Sequence, residues 1–181
     1  MLKEMTNESY KKIVLRHEDG DEAYIETVWG FDLGNERYRL DNCPFCFYGV
    51  TSGDIIQAKY SESGEQLFFT KIIEKSGNKL VRVIFDNPAD EEGLEKNHLD
   101  SLVAMGCSFE GANPKYICIE IPKRLELFEV CNYLTEHEIQ WEHVVPTYTE
   151  LYPNDQITPR SDNKHLARSA FLHMIQTTWG R

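Results

Sequence analysis

The sequence predicts an α+β fold: an N-terminal antiparallel β-barrel-like unit packed with a C-terminal ferredoxin-like βαββαβ unit, plus a C-terminal helix. Three patterns lead there. The first half is a succession of short β-branched and aromatic runs joined by tight turns. From Leu80 to Val145 the periodicity switches between strand and helix in the order β-α-β-β-α-β, the split-βαβ pattern. Within it Ile117, Ile119 and Ile121 alternate with Tyr116, Cys118 and Glu120, as a half-buried strand requires. The units are expected over residues 11–85 for the barrel, 80–145 for the ferredoxin-like part and 146–181 for a polar linker and appended helix.

In chain order, residues 11–17 form a first strand before the acidic turn Glu18-Asp19-Gly20-Asp21. Residues 23–33 bring Tyr24, Ile25, Thr27, Val28, Trp29 and Phe31, mostly strand formers. Gly34-Asn35-Glu36 then allows a hairpin into residues 37–40. The run 38–54, Y-R-L-D-N-C-P-F-C-F-Y-G-V-T-S-G-D, is dense in turn formers and aromatics and predicts one compact, specific backbone path. Strands over 54–60, 66–74 and 79–85 follow through short turns, the last at Ser76-Gly77-Asn78, which specifies an antiparallel meander. About six strands suit a small, partly open barrel, with 79–85 serving both halves.

Asn87 and Pro88 read as the cap and first turn of a helix carrying Leu94, His98, Leu102 and Val103 and ended by Gly106. Residues 107–110 and 116–121 flank a Gly-Ala-Asn-Pro turn. Pro122 opens a second helix with Leu127, Val130, Cys131 and Leu134 on one face, and 140–145 closes as a strand. Ser161 can cap a last helix with Leu166, Ala170, Phe171, Met174 and Ile175 on one stripe.

Composition narrows the function classes. No apolar run approaches the roughly 20 residues of a membrane span, and the polar first residues lack the centre of a signal peptide, so a cytoplasmic protein is expected. A formal charge of −11 disfavours nucleic acid and anionic membranes and favours a basic partner. Five cysteines without secretory context are expected as free thiols. Cys43 and Cys46 have C-x-x-C spacing, but no second pair completes a zinc site, and no strand-to-helix junction provides a redox setting. The histidines form no metal-binding pair, and no phosphate loop or nucleophile elbow occurs. The acidic residues Asp86 to Glu95 complement a helix start. No catalytic residue, metal or cofactor is assigned.

Glu26-Thr27-Val28-Trp29, Tyr38-Arg39-Leu40-Asp41-Asn42, Pro44-Phe45, Gly49-Val50, Gly53-Asp54, Ser76-Gly77 and Val81-Arg82-Val83 occur in an order and spacing that resembles a widespread bacterial family catalogued as a domain of unknown function. Its usual string is E-T-x-W, Y-R-L-D-N-x-P-F-F, G-V-x-x-G-D and S-G-x-x-x-x-R-V, and the resemblance covers roughly residues 13–145. Cys46 stands where that string has an aromatic residue and Cys43 at its variable position, which argues against C-x-x-C as a family function. The segment after Ser161 is an addition. The resemblance implies bacterial origin and a two-part layout, with some members encoded near polymorphic toxins, and it implies no catalytic residue.

The function expected from all this is a non-enzymatic cytosolic protein-binding module, specifically an immunity protein that neutralises a basic toxin. Its expected contacts are Trp29, Arg39 and Tyr48, with Asp90 and Glu91. The alternative is a small-molecule sensor using the ferredoxin-like unit, and an unassigned hydrolase is third. Oligomeric state is left open.

Overall fold

The computed structural model describes residues 9–19, 22–89 and 92–155. Five strands build a closed barrel in sequential order: β1 (Tyr10–Asp19), β2 (Glu22–Asp32), β3 (Arg37–Leu40), β4 (Ile55–Ser61) and β5 (Gln66–Glu74). Neighbours along the meander are antiparallel, and β5 returns to β1 in a parallel pairing, Ile13 to Leu67 and Val14 to Phe68. The partly open barrel expected from the sequence is thus closed, and one of its seams is parallel. The reason is parity: with an odd number of sequentially antiparallel strands, the first and last point the same way. Register shifts between Ile55 and Ile56 and between Gln57 and Ala58 bend β4 and β5 into that closure.

Ile13, Leu15, Val28, Leu40, Ile56 and Ala58 fill the barrel interior. Gly30 faces the same interior. A Cβ there would come within 2.6 Å of Ile13 Cδ1 and 3.1 Å of Tyr38 Cβ, so any larger residue would force the Ile13 side chain to shift at this close crossing of β1, β2 and β3.

The strand β6 (Lys79–Ile84) pairs with β8 (Tyr116–Ile121) and β9 (Gln140–Val145), and within the described residues belongs to the second sheet only. The barrel strands therefore end at Glu74, not at residue 85. Its inward positions were legible as apolar, but the partner strand depends on where the chain turns after Ser76. The second sheet has the order β7-β8-β6-β9, with β7 at Ser108–Asn113, and every pairing in it is antiparallel. Helices α1 (Leu94–Met105) and α2 (Leu127–Glu136) cover one face, where Leu99, Leu102, Val130 and Leu134 pack on Val81, Val83, Ile117, Ile119 and Ile121. The chain is thus mixed α+β and mostly strand.

Helix α1 is capped at Gly93, six residues beyond the expected cap Asn87. Phe85 N and Ala89 N donate to the carbonyls of Lys115 and Pro114, which keeps 85–89 beside the end of the sheet, and the Asn87 side chain reaches Glu95 instead of a helix N–H. The helix ends at Gly106 in the left-handed region, as the spacing predicts. In place of a plain linker after Pro146, a short helix α3 (Tyr148–Leu151) is closed by a Thr147–Glu150 capping box. The expected helix after Ser161 lies outside the described residues. Among the described residues no helix is long and apolar enough to cross a membrane.

Candidate functional site

The second face of the β6–β9 sheet is covered by the segment 41–54, and this junction with the barrel concentrates the polar chemistry of the molecule. Glu26, half-buried on β2, accepts three consecutive backbone N–H groups, from Phe45 (2.7 Å), Cys46 (3.0 Å) and Phe47 (2.6 Å). From the opposite side Arg82, fully buried on β6, donates through Nη2 to the carbonyls of Pro44 and Phe47. Its Nη1 lies 3.2 Å from Glu142 Oε1, and its guanidinium sits 4.5 Å from the Tyr48 ring centre. The Tyr48 hydroxyl donates to Glu142 (2.7 Å) and the Tyr116 hydroxyl to the Phe45 carbonyl (2.8 Å). The peptide units of 44–47 are therefore clamped between a carboxylate that takes their N–H groups and a cation that takes their carbonyls. Pro44 and the left-handed Gly49 make that tight path accessible to the backbone.

Electrostatics follow from burial. Desolvation raises the Glu26 carboxyl above its usual range, and the Arg82 charge and the three N–H donors only partly offset it. Burial opposes the Arg82 cation, but Tyr116, Glu142 and the other neighbours outweigh it and the net shift is upward, so the arginine stays charged. A second carboxylate, the fully buried Asp54, accepts from Thr51 N, Ser76 N and Ser76 Oγ and lies 3.5 Å from Lys75 Nζ. It ties the turn at Gly53 to the turn at Gly77. Glu120 accepts from Ser52, Asn78 and Ser108 at the same junction.

Among the described residues Glu26 is engaged by the backbone N–H groups of 45–47, Asp54 by Thr51, Ser76 and Lys75, Glu142 by Arg82 and Tyr48, and Glu120 by the Ser52 and Ser108 hydroxyls and Asn78. All five cysteines are free thiols. Cys43 is buried with its Sγ 3.6 Å from Thr51 Oγ1, whereas Cys46 is only half-buried. Burial pushes the thiols of Cys43, Cys46 and Cys131 up to about 12 and Cys107 up to about 11, with Glu120 adding to the shift at Cys43 and Glu26 at Cys46. A thiolate is the reactive form, so alkylation of the native protein at mildly alkaline pH is expected to be slow and to begin at Cys46. The sign for stability follows. Between about pH 9 and pH 12 the unfolded chain has lost thiol protons that the folded chain retains, so unfolding free energy should fall across that window. Mass-spectrometric mapping of the first alkylated site and urea titrations through the window check both; early labelling of Cys43 would contradict the arrangement.

A third polar group lies between the helices. His98 is 8% exposed, and its Nδ1 is 2.9 Å from the Tyr133 hydroxyl. The His137 ring is 5.0 Å from it, and its Nδ1 is 2.8 Å from the Tyr133 carbonyl. The signal for His98 was its place in the Leu94–Leu102 stripe. Among the described residues no three of His, Cys, Asp and Glu converge as metal ligands.

The expected contact residues divide. Trp29 and Arg39 project from the outer wall of the barrel, on adjacent strands. Trp29 is 45% exposed and is positioned by its own backbone, whose N–H donates to Asn42 Oδ1 (2.7 Å) and whose carbonyl accepts from Asp41 N (2.9 Å). Arg39 is exposed and lies 5.6 Å over the Phe31 ring. Tyr48 is not with them: it is half-buried in the junction and engaged with Arg82 and Glu142. Asp90 and Glu91 lie outside the described residues.

A family model for a domain of unknown function, DUF4265, matches residues 26–144. The chain belongs to the DUF4265 family. Its fold is similar to the crystal structure of a hypothetical protein from Neisseria gonorrhoeae, at 14% identity and a TM-score of 0.63, over 74% of this chain and 93% of that one. At that identity the likeness shows the fold alone. No curated protein matches. The DUF4265 match starts at the clamp carboxylate Glu26, takes in the whole 41–54 segment and Arg82, and ends at Val144, one residue short of the end of β9. β1 lies before the match, although it supplies one side of the barrel seam and one strand of the outer wall.

Proposed function

We propose that this DUF4265 protein is a non-enzymatic protein-binding module of the cytoplasm, in its specific form an immunity protein that neutralises a toxin, and that its contact surface is the outer wall of β1–β3. The observation that carries this reading is the exposure, along one face of β2, of Trp29 (45%) and Ile25 (64%), with Leu33 (41%) just beyond the strand end. Large apolar groups in a row on a strand that has no covering layer among the described residues are what a partner would bury. The polar junction supports the reading by its commitments: Glu26, Arg82 and Asp54 hold backbone in place, and the thiols are kept protonated. The strand order β7-β8-β6-β9, with α1 and α2 as its connections, supports a ferredoxin-like assignment for the second unit, with the barrel as the first. One face of that sheet carries helices and the other the 41–54 segment, so nothing favours a ligand site on it.

The test is co-expression with the toxic product of an adjoining gene. Wild type should restore growth, and Trp29→Ser should lose most of the rescue at an unchanged melting temperature, since only the exposed ring is removed. Equal rescue by Trp29→Ser would discard the surface. Failure of the wild type to rescue or to form a complex would discard the immunity reading.

A further inference from the structure

The formal charge of −11 argues for a basic partner, but the outer wall does not carry that charge. Strand register places a cation beside Ile25, Trp29 and Phe31 of β2, whereas Ala23, at the start of the strand, stands opposite Glu18. Arg16 stands opposite Ile25 and Lys12 opposite Trp29 on β1, while Arg39 stands opposite Phe31 on β3. Arg37 lies beside Leu33, whose N–H donates to its carbonyl. Lys12 Nζ is 5.3 Å from the Trp29 ring centre. Lys12, Arg16, Arg37 and Arg39 are all exposed. Among the outward positions of β1–β3 whose side chains are described, none is a carboxylate. The neighbouring acids are Glu36 in the β2–β3 turn, where it accepts from Gln57, and the exposed Asp41 just after β3, which stands beside Trp29 and whose charge also acts on Glu110.

We infer that the outer wall of β1–β3 binds an acidic, partly apolar polypeptide segment. This rests on the reading of that wall as the contact surface and specifies its partner's chemistry. Ile25, Trp29 and Leu33 supply a strip of apolar area, and the Lys12 and Arg39 heads that flank it from β1 and β3 take carboxylates on either side of it. Lys12 lies over Trp29 and Arg39 over Phe31, so charge and apolar area are offered together. A nucleic acid fits less well. Single-strand binding uses open aromatic faces for base stacking, and here a lysine lies over Trp29 and an arginine over Phe31. The barrel presents these groups as a rigid wall, because Asp41 and Asn42 fix the Trp29 backbone.

The experiment uses the full chain and three labelled probes, a glutamate-rich peptide with interspersed leucines, a lysine-rich counterpart and an oligothymidylate, followed by fluorescence anisotropy at low and physiological salt. The glutamate peptide should bind best, and more weakly as salt rises. The pair Lys12→Glu with Arg39→Glu should weaken it about tenfold, on the order expected for two rim charges. The pair Lys96→Glu with Lys123→Glu makes the same change in net charge away from the wall and should leave it nearly unchanged. Tighter binding of the lysine peptide or of the oligothymidylate would overturn the inference, as would equal losses for the two pairs or no binding of the glutamate peptide. If those failures accompany a Trp29-dependent rescue by co-expression, the wall is the contact surface and only the acidic character of its partner is wrong.

Discussion

Arg82→Met should lower the unfolding free energy by about 3–5 kcal/mol, the range for removing one member of a buried charged group. The side chain is fully buried and its charge is met by Glu142, the Pro44 and Phe47 carbonyls and the Tyr48 ring. Methionine nearly matches the stem, so the loss would come from the polar partners and not from a large cavity. Glu142 would keep only the Tyr48 hydroxyl of these contacts, the Pro44 carbonyl would keep only the weak Cys118 thiol, and the Phe47 carbonyl would lose the guanidinium. Arg82→Lys should recover only part of the loss, because one ammonium cannot span the carbonyls and the carboxylate in the plane that the guanidinium uses. Urea unfolding measures it: the midpoint should fall while the slope stays constant, as for a change in stability without a change in folded compactness. A loss below about 1 kcal/mol, the size of an ordinary substitution, would mean that the junction is not held by this group.

The complementary change, Glu26→Ala, is expected to cost about 2–4 kcal/mol. Three N–H groups of the 45–47 backbone lose their acceptor, and each buried orphan donor costs roughly 1–3 kcal/mol, reduced here because Glu26 is only half-buried and water can reach part of the site. The pH dependence has a definite sign. The folded carboxyl is raised above its unfolded value, so its contribution is present in full below the unfolded value and declines as pH rises through the folded one. The gap between wild type and Glu26→Ala should therefore widen on acidification. The two variants act on the same four residues from opposite sides, so the double mutant should lose less than the sum of the singles, by about 0.5–3 kcal/mol. Strict additivity would show that the carboxylate and the guanidinium stabilise the segment independently.

Both variants bear on residues of the family resemblance, and both are expected to act through folding. Glu26, Pro44, Phe45, Gly49, Asp54 and Arg82 meet at the junction, and Asp41 and Asn42 hold the Trp29 backbone. For these residues a structural task is visible, and it is the joining of the barrel to the second sheet.

The amino-acid sequence by itself determined the element order from β1 to β9, because each of those elements is announced within a few residues, whereas α3 was not foreseen. Alternation at Ile117, Ile119 and Ile121 set the face that meets the helices; Gly106 set the end of α1, and Ser76-Gly77-Asn78 the turn before β6. These are short-range rules of backbone geometry and burial, and they need no partner strand. Tertiary structure alone decided the rest. Barrel closure depends on strand parity, and β6 joins the second sheet because its partners β8 and β9 lie far along the chain. Tyr48 read as a surface contact from its type, yet it turned inward because Arg82 offers its ring a buried cation. The net charge is a sum over the chain, and a sum contains no positions. Only strand register, which brings Lys12, Trp29, Phe31 and Arg39 from three strands onto one wall, turns an acidic protein into one with a cationic face.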